Sequence, residues 1–192
     1  MIEALRLLRT VQTTRRFSLG VRTGGGFARF LPTMDHLYIV EIGGTRQDCL
    51  FESHLVHALV APDERSMIER CRETFTHQLQ AAHIDGWVAL PVERDDPFQP
   101  LPTLQCYLVE LGRNSTAFLR EQHDYRFVAA SDGREAITQI RAEMPGWHVD
   151  TVVNIDRLAL DRGWRLRRDG PDGLPQRHQV ARYLRFDRMT AP

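Results

Sequence analysis

Lysine is absent: all 25 basic residues of this 192-residue chain are arginine. The phosphate-loop lysine, Schiff-base chemistry and any lysine general base are therefore excluded, and several large enzyme classes go with them. Cysteine is scarce. Cys49, Cys71 and Cys106 are odd in number and none has CxxC spacing, so neither a disulfide framework nor a zinc knuckle is indicated. A reducing cytoplasm is the expected compartment. No apolar run approaches the roughly 18 residues of a membrane span, so no membrane partner is expected. Net charge is also missing, 25 acidic residues balancing 25 basic ones, whereas a dedicated nucleic-acid binder carries a strong basic excess. What the chain does have is 42% hydrophobic residues, enough for one medium domain or two small ones.

The charge balance conceals an uneven distribution. Residues 1–34 hold six arginines against a single acid, Glu3, and include the glycine-rich stretch "RTGGGFARFLPT". They read as a flexible leader, and Met34 is a candidate for the true initiator. "VRTGGGF" lacks the lysine and the strand-to-helix setting of a phosphate loop.

The productive signal is internal self-similarity. "LYIVEIGG" at 37–44 matches "CYLVELGR" at 106–113, and a constant shift of 69 residues carries Tyr38 to Tyr107, Glu41 to Glu110, Gly43 to Gly112, Glu52 to Glu121, His54 to His123, Asp63 to Asp132 and Ile68 to Ile137. Over residues 37–75 against 106–144 there are 12 identities in 39 ungapped pairs. Unrelated sequences would share roughly two or three. A four-residue shortening then aligns "HIDGW" (83–87) with "WHVDT" (147–151), taking His83 to His148 and Asp85 to Asp150.

Each copy predicts strand, strand, helix, strand. "LYIVEIG" and "CYLVELG" suit largely buried strands, and "SHLVHALVA" and "QHDYRFVAA" suit a second strand in each copy. Asp63 after Pro62, and Asp132 after Ser131, supply helix-start chemistry. Ile68, Cys71 and Phe75, mirrored by Ile137, Ile140 and Met144, give each helix one apolar stripe. The expected fold class is α+β: two tandem β-β-α-β repeats in pseudo-twofold relation, helices packed on one side of the sheet system, and a C-terminal hairpin around "GPDGLP". The expected divisions are the leader (1–34), repeat 1 (35–96), a proline-rich connector (97–103), repeat 2 (104–168), and a C-terminal strand and tail (169–192).

This pattern, a "LYIVEIGG" strand, an "ExH" before the next strand, a helix and then "HIDGW", resembles the bacterial family known as domain of unknown function 1543, whose members hold one or two copies of the domain. The resemblance spans about Leu37 to Arg168. Glu52, His54, His83, Ile84, Asp85 and Trp87 match in the first copy, and Glu121, His123, His148, Val149 and Asp150 in the second, where Val152 replaces the usual tryptophan. It implies a fold and no activity.

The candidate chemistry lies in these histidines and acids. Glu52 and His54, like His83 and Asp85, are two residues apart and share a face on extended chain. Such a set could hold a divalent metal or orient a general base, giving Glu52, His54, Glu121 and His123 as candidate metal ligands and His83, Asp85, His148 and Asp150 as candidate catalytic residues. Alternation argues otherwise. His54 falls on the face of Val56, Ala58 and Val60, whereas Ile84, Val88 and Leu90 define an apolar face that leaves His83 and Asp85 opposite. The two histidines of a copy should then point apart unless the chain bends, each satisfying strand-end backbone groups or pairing across the two copies. Serines lack nucleophile-elbow glycines. The C-terminal arginines, with Trp164, Tyr183 and Phe186 interleaved, could hold single-stranded nucleic acid or form a solvated strand face.

The expectation from sequence is a small cytoplasmic binding or assembly module rather than an enzyme, without a required cofactor. Its two copies pair within one chain, as a monomer or homodimer. A metal-assisted hydrolase and a single-strand binder are the alternatives.

Overall fold

The structure is a computed structural model that describes residues 34–117, 119–170 and 173–189; the leader expected over 1–34 falls, apart from Met34, outside the described residues. β1 (His36–Thr45), β2 (Ser53–Ala61), α1 (Glu64–Phe75) and β3 (Gln80–Arg94) come first, then β4 (Gln105–Arg113), β5 (Gln122–Ala130), α2 (Gly133–Glu143) and β6 (His148–Asn154). A short α3 (Ile155–Leu160), β7 (Trp164–Leu166), β8 (His178–Arg185) and a 3-10 turn at Phe186–Arg188 complete the chain. The fold is mixed α+β and rich in strands. No helix among the described residues is long and apolar enough to cross a membrane.

The strands form two antiparallel sheets. In the first, β1 lies between β2 and β3; in the second, β4 lies between β5 and β6. The central strands are buried on both faces, which explains their near-continuous apolar sequence. Tyr38, Val40 and Ile42 of β1 pack with Met67, Cys71 and Phe75 of α1, while Leu37 and Ile39 on the opposite face join Cys106 and Leu108 of β4. Tyr107, Val109 and Leu111, on the far face of β4, meet Ala136 and Ile140 of α2. The layers therefore run helix, sheet, sheet, helix. This corrects the expectation of helices on one side of the sheet system: each central strand has two apolar faces, and the inner ones cover each other, leaving the outer ones to the helices. Burying each large aliphatic or aromatic side chain stabilises the fold by about 1.5–3 kcal/mol.

Both helices start as their sequences predict. Asp63 accepts a hydrogen bond from the Ser66 amide at 2.7 Å, and Asp132 accepts from the amides of Arg134 and Glu135 at 2.8 and 2.9 Å. The buried stripes are Met67, Cys71 and Phe75 in α1 and Ala136 and Ile140 in α2, with Ile68 and Met144 at their margins.

The expected C-terminal hairpin does not form. β7 pairs with residues 92–94 of β3 and β8 with residues 83–89, end to end along the edge that faces away from β1. β3 is 15 residues long and offers that edge, so both short strands satisfy their backbone groups there rather than on each other. The chain that follows β6 thus returns to the first sheet. A buried ion pair fastens the return: Asp156, 2% exposed, accepts the Cys106 amide at 2.6 Å and pairs with the guanidinium of Arg168.

Candidate functional site

Gly43 of β1 is paired with His54 on one side and His83 on the other. Neighbours in register project to the same face of a sheet, so both imidazoles extend over the glycine, where no side chain intervenes. The expectation that they point apart is corrected by a β-bulge. Glu41 pairs with Gly86 and Ile42 with Ile84, leaving Asp85 as the extra residue. Beyond it the alternation changes parity: Ile84 packs with Trp87 and Ala89 on the α1 side, and Val88, Leu90 and Val92 face the second sheet. His83 and Asp85 are thereby carried onto the face of His54.

Four side chains converge. His54 Nε2 lies 3.2 Å from Glu52 Oε1 and 3.2 Å from Asp85 Oδ2, and His83 Nε2 lies 3.7 Å from Glu52 Oε2 and 3.5 Å from Asp85 Oδ1. The second sheet repeats the arrangement. Gly112 pairs with His123 and His148, and Asp150 is the bulged residue between Val149 and Thr151. His123 Nε2 is 3.6 Å from Glu121 and 3.7 Å from Asp150, and His148 Nε2 is 2.7 Å from Glu121 and 3.2 Å from Asp150. All eight candidate residues fall into these two groups.

The first group sets two imidazoles against two carboxylates. His83 Nδ1 stands 2.9 Å from the Ala81 carbonyl, which can only accept, so Nδ1 carries a proton and the ring is oriented with Nε2 turned toward two carboxylates. That carbonyl is held in place by a left-handed backbone at Ala81 (φ 52°), an uncommon conformation for a residue with a side chain. His83 is 2% exposed, and its Nε2 contacts are too long for good hydrogen bonds. Asp85 Oδ2 is likewise buried and, among the described residues, its only ion-pair contact is with His54 Nε2, at 3.2 Å. Donors held about 2.0–2.1 Å from a tetrahedral metal ion stand roughly 3.3–3.4 Å from one another. The four histidine–carboxylate separations here, 3.2–3.7 Å, are of that order, with each carboxylate meeting its two histidines through different oxygens. Glu52, His54 and His83, and Glu121, His123 and Asp150, each place ligand atoms within 4.8 Å of one another.

The glycines beneath the groups were read from sequence only as strand stops. A Cβ on Gly112 would come within 2.5 Å of Asp150 Oδ2 and His148 Nε2 and 2.8 Å of Glu121 Oε1; one on Gly43 would strike the His83 ring. Each position can hold only glycine while the donors converge. The signal was available in the alignment of Gly43 with Gly112, but reading it required the cross-strand register.

Other candidates find ordinary roles. Glu41 and Asp85 line a cleft of about 290 Å³ between the sheets, with Ile39, Leu108, Tyr125 and Phe127. The Tyr125 hydroxyl donates to Glu110 at 3.4 Å, and burial, together with Glu110, Glu41 and Asp150, pushes its pKa up to about 12. Ser66 serves the cap of α1. Arg165 is buried against Asp95 and three backbone carbonyls, Arg168 against Asp156, and Phe186 in the core. Part of the arginine and aromatic signal of the C-terminal segment is thus engaged in internal contacts, while Tyr183 is exposed. Cys49 is exposed, whereas burial pushes the Cys71 and Cys106 thiols up to about 12. A thiol reagent at neutral pH should therefore label one cysteine rapidly in the native protein and the other two only on unfolding, as counted by mass spectrometry.

No known family's sequence profile matches the chain, and no curated protein matches it. Among solved structures the chain is similar to a protein, Il1583, from Idiomarina loihiensis, with a TM-score of 0.51 and 19% identity, over 79% of this chain and 97% of that one. At this identity the likeness is one of fold.

Proposed function

We propose that the protein binds divalent first-row metal ions at two centres of like composition, Glu52, His54, His83 and Asp85 in one and Glu121, His123, His148 and Asp150 in the other. The observation that carries this is the first group: a buried histidine, 2% exposed and oriented through Nδ1 by a backbone carbonyl, whose Nε2 meets two carboxylates beside a second imidazole. Two imidazoles with two carboxylates favour zinc, iron or manganese over calcium or magnesium, which prefer oxygen alone. The binding module expected from sequence thereby becomes a metal-binding module.

The two centres are best understood as products of a tandem duplication, supported by the 69-residue shift and by the matching bulges at Asp85 and Asp150. Pairing of the halves within one chain follows from that origin. Membership of the domain of unknown function 1543 family is proposed on the residues quoted above, with a cytoplasmic setting in keeping with three free thiols. A second reading, metal-assisted hydrolysis, draws on the half-exposed histidines of the second group, where a substrate could reach the ion.

Ligand binding to the folded state alone raises stability by about 2.7 kcal/mol at a hundredfold excess over Kd. Zinc or manganese should accordingly raise the melting temperature of the chelator-stripped protein. Replacing both His54 and His123 by alanine should remove the shift, and an unchanged shift in that variant would refute the assignment.

A further inference from the structure

The two centres have similar donors but different surroundings. β8 runs along the outer edge of β3, from His178 opposite Ala89 to Arg185 opposite His83. It brings the Tyr183 ring to 4.6 Å from that of His83, between centroids. On the second sheet no described strand pairs with the outer edge of β6. His148 is 50% exposed there, against 2% for His83.

One residue of the repeated motif records this difference. Gly86 of "HIDGW" lies beside the β8 backbone: a Cβ there would meet the Val180 carbonyl oxygen at 2.6 Å. Its counterpart in "WHVDT" is Thr151, which is exposed and is paired with Glu110 as Gly86 is with Glu41. The first edge needs a glycine so that a strand can close over it. The second carries a branched side chain where such a strand would have to pass. Orientation differs too. His83 is fixed through Nδ1 by the Ala81 carbonyl, while among the described residues His148 makes contacts only through Nε2, to Glu121 and Asp150. The four carboxylates do not share the asymmetry, since Glu52 is 41% exposed and Asp85, Glu121 and Asp150 are 27–29% exposed. It resides in the third-strand histidine and its cover.

Building on the metal-binding reading, we infer that the centres are functionally divided. The centre at 52, 54, 83 and 85 retains its ion behind Tyr183; the centre at 121, 123, 148 and 150 exchanges its ion and keeps a coordination position for water or a small oxygen-donor ligand such as a carboxylate. A covered histidine of fixed orientation favours retention of a metal, and an accessible one favours exchange and an open coordination position. Hydrogen bonds that orient a liganding histidine are worth roughly 10–100-fold in metal affinity, and that is the expected gap between the centres.

The test uses the full chain and Co(II), followed by visible absorption during titration against a competing chelator, with acetate added as the probe ligand. Two binding phases separated by roughly tenfold or more are expected. His83→Gln should remove the tighter and His148→Gln the weaker, and acetate should perturb the spectrum of the weaker alone. Tyr183 is 60% exposed, so Tyr183→Ser spares the core and should speed release from the tighter centre without changing the other. Two phases of equal affinity, or loss of the tighter phase in His148→Gln, would overturn the division while leaving the metal reading intact. An absence of Co(II) binding in the unaltered chain would overturn both.

Discussion

Gly112→Ala should cost the second centre its metal, weakening binding there on the order of 100-fold or more, while leaving the fold almost untouched. The added methyl would stand 2.5–2.8 Å from three donor atoms, and those side chains are exposed enough to swing aside. Gly43→Ala should behave differently. Its methyl meets the ring of His83, which is buried and hemmed in by Tyr183, so relief requires displacing packed structure. Overpacking of this kind costs about 1–3 kcal/mol, and Gly43→Ala is expected to lose that stability in addition to metal at the first centre. Metal titration and urea unfolding in the presence of chelator separate the two effects. If both alanine variants bind metal as the parent does, the glycine floors are not what the donors close over.

The largest loss of stability is expected from Asp156→Ala. Asp156 and Arg168 are 3% and 7% exposed at their side chains, and Asp156 also holds the Cys106 amide at the start of β4. Removing the acid strands a buried guanidinium and a buried N–H, a defect that costs about 3–5 kcal/mol. Asp156→Asn keeps an acceptor for the amide and should lose less. The consequence reaches further than one pair, because this contact ties α3 and the segment after β7 to the second sheet while β7 itself belongs to the first. A shift of the urea midpoint equivalent to under about 1 kcal/mol would show that the return of the chain is secured elsewhere.

What the sequence revealed of this fold was local. The order strand, strand, helix, strand over 36–94 and again over 105–154 and the caps at Asp63 and Asp132 follow from short-range patterns. The helix stripes follow in part, their buried positions including Met67 and Ala136 rather than the expected Ile68 and Ile137. The errors were non-local. Reading "HIDGWVAL" as an unbroken alternation put His83 on the wrong face, because a bulge changes parity and depends on the partner strand. The glycine that follows Asp85 hinted at it, yet Thr151 follows Asp150 at an equivalent bulge, so glycine was not the requirement. "GPDGLP" is a turn sequence, but β7 and β8 found the free edge of β3 more than 70 residues away in sequence from most of their length. Nor could periodicity say which apolar face of β1 meets a helix and which meets a sheet. The site was legible as residues and illegible as geometry. Glu52, His54, His83 and Asp85 were all singled out, and only the register over Gly43 shows that they converge.

Equilibrium dialysis of the chelator-stripped chain against zinc, with bound metal measured by elemental analysis, tests the central claim most directly. The account predicts about two ions per chain, about one in His83→Ala or His148→Ala, and none in the double variant, each remaining folded by circular dichroism. A parent chain that binds no zinc, or a folded double variant that binds as much as the parent, would contradict it.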